Sequence, residues 1–141
     1  MIRYLSIQEV IEIHDQIIDI YGGSFGLRDL GLLASAIEMP KSKFDNKFLH
    51  PSIFDKASAY LYHICNNHPF IDGNKRTAAV STLVFLEDNE ISLKFNENKF
   101  ENLIVEIAIG KINKKYISSI LKKSKKNNQL YRSWMIFFEK H

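Results

Sequence analysis

The sequence predicts an all-α fold, a compact bundle of about six helices around a buried central helix. Apolar residues recur at helical spacing along nearly the whole chain, and Gly, Pro and Asn separate the segments. Residues 74–88 are apolar on most sides, as in a helix enclosed by its neighbours. With 141 residues, 45% of them hydrophobic and 25% charged, the chain can form one domain with its own core and is too apolar for intrinsic disorder.

The first two helices have start and stop signals. Ser6 precedes an apolar stripe that includes His14, and glycines at 22–23 follow it, so we predict a helix that Ser6 caps and glycine ends. After Asp29, apolar residues at i, i+3, i+4 and i+7 predict a shorter helix that stops before Pro40.

The middle of the chain alternates loops and helices. Residues 41–50 show no sustained period and are predicted to form a polar loop, a candidate flap. A third helix is predicted to start after Ser52 and to break at residues 66–69, where Pro69 disfavours helical backbone in the residue before it. The central helix of residues 74–88 follows.

The last third of the chain completes the bundle. Residues 91–95, ISLKF, predict a short extended segment, and apolar stripes that start at Phe100 and Tyr116 predict two further helices. We therefore place the domain at residues 1–126. Residues 127–141 form an aromatic tail of unknown role that could dock on the body or on a partner.

Several features bear on location. No apolar run approaches the ~18 residues of a membrane span. The N-terminus lacks the features of a secretory signal, and the lone Cys65 lies among apolar residues and cannot form an internal disulfide. We expect a cytoplasmic protein with a reduced core thiol and no membrane partner.

Charge is distributed unevenly. Residues 1–110 carry an acidic excess, whereas residues 111–141 hold nine Lys and Arg against one acidic side chain. A patch of one sign attracts phosphates or an acidic protein. A solvated helix face is the simpler interpretation of these lysines, and we favour it.

The stretch HPFIDGNKRT at residues 68–77 combines several groups suited to binding an anion. It opens the predicted central helix, and the free N–H groups of a helix N-terminus bind anions. Gly73 lets the backbone approach a phosphate closely, and Lys75 and Arg76 add positive charge at the same place.

The same stretch holds an acid and a base. Asp72 suits a Mg²⁺ that also takes phosphate oxygens, and His68 can remove a proton from an attacking hydroxyl at neutral pH. Any one of these residues alone would more simply be a cap or a turn residue. Their joint occurrence predicts phosphate transfer, although no Walker P-loop motif is present.

The run HPFIDGNKRTA resembles the signature of the Fic/Doc family, H-P-F-x-D-G-N-G-R-x-x-R in its Fic form, and is most similar to the death-on-curing (Doc) toxin branch. Lys75 stands where Fic members have a second glycine, and Ala79 stands where they have the final arginine. The resemblance extends to YGGSFGLRDLGLLASAI at residues 21–37 and to IHD in the first helix. It covers most of residues 4–124.

The resemblance implies the Fic/Doc fold and a role for each matching residue. His68 would be the general base that activates a target Ser or Thr hydroxyl, Asp72 would hold Mg²⁺, and Phe70 would anchor the loop in the core. The residues that bind and position the nucleotide phosphates would be Gly73, Asn74, Lys75 and Arg76.

The resemblance also implies a reaction. Fic members transfer AMP from ATP, whereas the Doc branch transfers the γ-phosphate to elongation factor Tu and stops translation. A lysine takes up space and charge where glycine admits an α-phosphate, so the triphosphate can bind the other way round. We therefore predict a toxin kinase that uses ATP and Mg²⁺. Pro69 and Gly73 follow the Fic form, which keeps AMP transfer as the alternative.

Partners follow from the same resemblance. The family's inhibitory motif, [ST]-x-x-x-E-[GN], does not occur in the sequence, so we expect inhibition in trans by a Phd-type antitoxin whose disordered C-terminus folds on the toxin. Residues 41–48 lie where the family has a flap that pairs with substrate backbone as an added strand.

Three other interpretations compete. The lysine-rich last helix could bind nucleic acid, but its cluster has no arginine and only Tyr116 among aromatics, so we expect no direct nucleic-acid contact. A metal-dependent phosphohydrolase built on His14 and Asp15 would need several further ligands, and we expect His14 to be a core histidine. Intact His68 and Asp72 disfavour a pseudoenzyme.

Overall fold

The computed structural model describes residues 1–126, and most of that backbone lies in six α-helices. They are α1 (Ile7–Tyr21), α2 (Leu30–Glu38), α3 (Ile53–Asn67), α4 (Asn74–Asp88), α5 (Glu97–Ala108) and α6 (Lys114–Lys123). The predicted all-α bundle of about six helices is confirmed.

Side chains at the helix starts explain where the helices begin. Ser6 and Ser52 each accept a hydrogen bond from the backbone N–H three residues later. The carboxylates of Glu9 and Asp55 accept one in return from the N–H of the capping serine, which completes a capping box at α1 and at α3. Asp29 caps α2 through the N–H of the third helical residue. The predicted helix starts are therefore confirmed.

Helix α4 lies at the centre of the bundle, packed along α3 and also against α1 and α5. Residues 77–83 of this helix are all buried, and Phe85 packs on Tyr60 of α3 with ring centroids 4.8 Å apart. This confirms the predicted central helix. The Cys65 thiol is buried in the same core, and burial raises its pKa to about 11, as expected for a structural thiol.

Residues 41–50 contain a hairpin where the sequence predicted only a polar loop. Strand β1 (Lys43–Phe44) pairs antiparallel with β2 (Lys47–Phe48). The two turn residues, Asp45 and Asn46, both have positive φ, which Asp and Asn tolerate better than most residues. Two-residue strands are too short to give a periodic signal, which is why the pattern indicated a loop.

The predicted ends of α2 and α3 are also confirmed. Helix α3 ends at Asn67, inside the predicted break at residues 66–69, because Pro69 disfavours helical backbone at residue 68. Pro40, expected just beyond α2, lies inside a short 3₁₀ turn (Met39–Lys41) that continues directly from that helix. Proline suits the first turn of such a helix, where its missing N–H has no partner to lose.

Strand β3 (Ser92–Leu93) confirms the extended segment predicted at residues 91–95. Its antiparallel partner, β4 (Lys125–Lys126), was not predicted. The predicted aromatic tail, residues 127–141, lies outside the described residues, so the domain boundary at residue 126 stays a prediction. Within residues 1–126, no helix has the length and apolar character to cross a membrane.

Candidate active site

The loop between α3 and α4 and the first turn of α4 bring the predicted site residues together around one cavity of about 400 Å³. The cavity is lined by His68, Ile71, Asp72, Gly73, Asn74, Lys75 and Arg76. All six residues singled out in the sequence therefore share one surface. Their chemical roles stay predictions.

His68 sits directly after α3 with left-handed backbone, φ 47° and ψ 55°, and its side chain is exposed. A non-glycine residue adopts this conformation only when its surroundings favour it. Arg28 supplies that support, because its Nε donates to the carbonyl oxygen of His68 at 2.6 Å and its Nη2 donates to that of Asn67 at 2.8 Å. The guanidinium thus caps the end of α3 and fixes the backbone that carries the candidate base.

Backbone pairing holds the rest of the loop against residues 26–29. Leu27 and Phe70 form an isolated antiparallel bridge, and the N–H of Ile71 donates to the carbonyl oxygen of Gly26 at 3.0 Å. The N–H of Arg28 donates to the Pro69 carbonyl oxygen at 2.8 Å. Main-chain bonds thereby hold the loop at Pro69 and Ile71, on either side of Phe70, and side-chain motion alone does not displace it.

Phe70 and Asn74 lock the loop to the core. The Phe70 side chain is buried, as predicted. Asn74 Oδ1 accepts from the Phe70 N–H at 2.9 Å, and Asn74 Nδ2 donates to the Phe70 carbonyl oxygen at 2.9 Å. Both ends of the Asn74 amide are therefore used within the protein. Asn74 positions the loop, and its contact with phosphate stays a prediction.

His14 is a buried core histidine, as predicted, and it also supports the site. Its ring stacks on Phe70 with centroids 3.8 Å apart, and its Nε2–H donates to the carbonyl oxygen of Asp72 at 2.8 Å. Among residues 1–126, no group of three or more His, Cys, Asp or Glu could hold a metal ion. The part of the chain that is described therefore offers no multi-ligand centre around His14 and Asp15.

The Asp72 carboxylate is exposed and held in place by backbone groups. Its Oδ2 accepts from the Ser24 N–H at 3.2 Å, and its Oδ1 accepts from the Gly73 N–H at 2.9 Å. Gly23 has φ +115°, and a Cβ there would lie 2.6 Å from Asp72 Oδ2. Glycine is required at this approach. One oriented, accessible carboxylate beside an anion site fits Mg²⁺, which binds through one or two carboxylates and completes its shell with phosphate oxygens and water.

The start of α4 is open toward the cavity. Gly73 is the N-cap, with φ +76°, and provides no side-chain cap for the first-turn N–H groups. Lys75 and Arg76 are exposed on that turn, and neither forms an ion pair within residues 1–126. The Arg76 guanidinium lies 4.3 Å from the Tyr21 ring centroid, which orients it through a cation–π contact. The turn is positively charged and suited to phosphate.

Sequence reasoning missed Arg28 and the pair Gly23 and Ser24 as parts of the site. All three lie in the segment at residues 21–37 that carried the family resemblance, but no periodicity or motif chemistry gave them a role. The sequence did carry a conformational signal for this part of the site. A run of three glycines within residues 22–26 beside an arginine is typical of backbone that packs closely against another loop.

Comparison with known proteins identifies the family of this chain. The family model described as the Fic/DOC family matches residues 4–86, which include α1 to α3, the loop and most of α4. The chain belongs to the Fic/DOC family. It is 37% identical over 90 residues to the "Toxin Doc" of Mycolicibacterium smegmatis, a match that covers 62% of this chain and 69% of the relative. It is 31% identical over 121 residues to the "Protein kinase doc" of Escherichia phage P1, covering 86% and 94%.

Proposed function

We propose that this protein is a Doc-type toxin that transfers the γ-phosphate of ATP to a Ser or Thr hydroxyl of a protein, with elongation factor Tu as the target. One observation carries the proposal. An exposed histidine, an oriented carboxylate and an open, positively charged helix N-terminus line the same cavity. Phosphoryl transfer depends on positioning and electrostatics more than on covalent chemistry, and these groups supply both.

In the proposed reaction, His68 is the general base. Its exposed imidazole accepts the proton of the attacking hydroxyl, whose oxygen forms a bond to the γ-phosphorus. The bond between that phosphorus and the oxygen bridging to the β-phosphate breaks, and ADP leaves with the electron pair. Arg28 keeps the base in place through the backbone, so His68 can meet the hydroxyl without a change in the fold.

The phosphates would bind at the start of α4, which lines the same cavity. The N–H groups of the first turn of α4 bind anions, and Lys75 and Arg76 add positive charge beside them. This part of the cavity therefore suits the triphosphate better than the protein substrate. Asp72 would hold Mg²⁺, which neutralises negative charge on the β- and γ-phosphates when bound. His14 and Ser24 hold Asp72 from two sides, so the carboxylate needs little reordering to bind the ion.

The kinase is favoured over AMP transfer by two positions. Lys75 puts a long cation on the turn where Fic members have glycine, and Ala79 is fully buried where they have an arginine. Ala79 therefore provides no phosphate contact of the kind that an AMP transferase would use. The similarity to a phage protein named as a kinase points the same way. AMP transfer by the same site is the alternative product.

The proposed toxin has two protein partners. A Phd-type antitoxin would neutralise it, in keeping with the similarity to a protein named as a toxin. The target would be received at the hairpin of β1 and β2, which pairs with no third strand within residues 1–126 and carries exposed Phe44 and Phe48. An extended peptide can add to such an edge as a further strand.

The test incubates the full chain and elongation factor Tu with Mg²⁺ and ATP and measures the intact mass of the target. We expect a gain of one phosphate. His68→Gln keeps the size and polarity of the side chain but lacks the base, and it should slow transfer by about 10²- to 10⁴-fold. Asp72→Asn should abolish transfer. Asp19→Asn, at an exposed aspartate on α1, is the matched control and should leave transfer unchanged.

The possible outcomes separate the alternatives. A gain of one AMP would contradict the role given to Lys75, but the assignment of the active site would stand. Unchanged mass with elongation factor Tu, but phosphate on another protein, would contradict the target alone. Phosphate transfer that persists in His68→Gln would contradict the role of His68 as the general base.

A further inference from the structure

A second polar cluster lies outside the candidate active site, where three segments meet. The Nζ of Lys114, at the start of α6, is 3.0 Å from Nε2 of His50 and 2.9 Å from Nε2 of His63. His50 follows β2 closely, and His63 lies on α3. None of the three lines the cavity that contains His68. Lys114 is partly buried, whereas its neighbour Lys115 is exposed, as expected for a solvated helix face.

The protonation of the two histidines follows if Lys114 carries its charge. An ammonium group only donates, so both Nε2 atoms accept and both imidazoles are neutral. Burial and the charge of Lys114 lower the pKa of His63 to about 4, and the same two causes lower the pKa of His50, although nearby Asp55 raises it. The neutral form of both rings therefore prevails at physiological pH.

A second lysine, Lys56, binds the backbone of residues 50–51. Lys56, on α3, is 2% exposed, and its Nζ donates to the carbonyl oxygen of His50 and, at 3.3 Å, to that of Pro51. The same Nζ lies 4.0 Å from the Phe48 ring centroid. A buried ammonium is tolerated only when such partners replace water. Residue 50 is therefore bound through its side chain by Lys114 and through its backbone by Lys56.

The hairpin needs this support because its own bonds are few. Each strand has two residues, and an isolated hairpin of this size is not stable in water. Beyond the strands, the Leu49 N–H donates to the Ser42 carbonyl oxygen at 3.0 Å. The tip is exposed, with Phe44 75% accessible. His50 lies one residue beyond this closing bond, at the base of the hairpin and away from the turn at Asp45 and Asn46.

We propose that Lys114, with Lys56, forms an anchor that holds the β1–β2 hairpin in position, and that Lys114 is thereby a positioning residue for the protein substrate. The second half rests on the proposed function, in which the hairpin receives the target. Lys114 acts at a distance from the transfer chemistry, so it should affect binding of the target protein and leave the handling of ATP unchanged.

The first measurement follows hydrogen exchange of the Leu49 amide, which reports on the hairpin without any substrate. Lys114→Met removes both bonds to histidine and keeps the length of the side chain. We expect the Leu49 amide to exchange about tenfold faster, while Ile64 in the core of α3 changes little. Lys114→Gln keeps a donor nitrogen on a slightly shorter side chain and should show a smaller increase. Lys115→Met, on the exposed neighbour, should show none.

The second measurement separates positioning from general stability. With elongation factor Tu as acceptor, Lys114→Met should raise the KM for the protein about tenfold and leave kcat and the KM for ATP within about twofold of the wild type. Equal acceleration of exchange at Leu49 and Ile64, or unchanged exchange at Leu49, would overturn the anchor. A loss of kcat with unchanged KM would overturn the positioning role.

The two proposals fail in different ways. If the wild-type chain transfers nothing to any protein, the proposed function fails, and the exchange experiment still decides whether Lys114 anchors the hairpin. If transfer occurs and the KM for the protein does not respond to Lys114→Met, the substrate role fails while the proposed function stands.

Discussion

The two short connections on either side of α3 are held by different kinds of interaction. The loop at residues 68–73 is paired through its backbone to residues 26–29 and backed by a buried aromatic ring. The hairpin at residues 43–48 is held at its base by two lysine side chains that reach across from α3 and α6. Backbone pairing resists changes in pH and salt, whereas bonds between an ammonium and two imidazoles depend on protonation. The hairpin base therefore depends on the protonation of its side chains in a way that the backbone pairing of the loop does not.

The largest effect should come from breaking the support of the loop. Arg28→Ala removes both bonds to the carbonyl oxygens of Asn67 and His68, so the left-handed backbone of His68 loses its partner. A displaced base costs rate steeply, and we expect transfer to fall about 100-fold with only a small change in the melting temperature. Intact-mass assays of the target at matched protein concentrations measure the rate.

Three further experiments make the Arg28→Ala test more specific. Arg28→Lys keeps the charge but cannot make both bonds, and it should recover little of the rate. Added guanidinium at low concentration should partly restore Arg28→Ala and have no such effect on His68→Gln. Arg3→Ala, at an exposed arginine near the N-terminus, is the control for loss of charge. Wild-type activity in Arg28→Ala would refute the role of the guanidinium.

A smaller effect should come from the neighbouring turn. Gly23→Ala places a Cβ 2.6 Å from Asp72 Oδ2 and displaces the carboxylate, so the Mg²⁺ concentration that gives half-maximal transfer should rise about tenfold. Gly22→Ala is a matched control, because Gly22 also has positive φ but its Cβ would meet nothing within 4 Å. Equal effects of the two variants would assign the loss to backbone strain and not to Asp72.

The same contrast explains how much the sequence predicts. Helix positions and the central burial of α4 follow from apolar periods and from caps such as Ser6 and Asp29, which are local signals. The clustering of His68 and Asp72 also follows, because the motif is contiguous. Arg28 could not be found this way, since its bonds to the loop span about 40 residues and depend on tertiary packing.

The cluster of Lys114, His50 and His63 shows a second limit of prediction from sequence. Lys114 lies in a basic run that predicts a solvated face, and its neighbour Lys115 fits that prediction. Only the packing of α6 on α3 shows which lysine turns toward His63. The same holds for His50, which the sequence placed in a featureless polar loop. Composition locates charge along the chain, and packing decides which charges meet.

The smallest effect should be a pH dependence that the hairpin base shows and the backbone pairing of the loop with residues 26–29 does not. The pKa of His63 is about 4 in the folded protein and about 6.5 in the unfolded chain, so between these values the unfolded chain binds more protons. The contribution of His63 to stability is therefore complete above about pH 6.5 and is lost as pH falls toward about pH 4. Protonated His63 would also face the Lys114 ammonium and the His50 ring, which weakens the anchor.

Urea unfolding of the wild type and of His63→Gln at about pH 7 and about pH 4.5 measures this contribution, since that range lies above the ordinary pKa of most carboxylates. The wild type should lose more stability than the variant over this interval, and the Leu49 amide should exchange faster at the lower pH after correction for the intrinsic rate. The backbone-paired loop provides the internal reference, because the Ile71 amide, bonded to the Gly26 carbonyl oxygen, has no such titrating partner among its bonds. Equal losses in the two proteins, or parallel changes at Leu49 and Ile71, would show that the two connections are held in the same way after all.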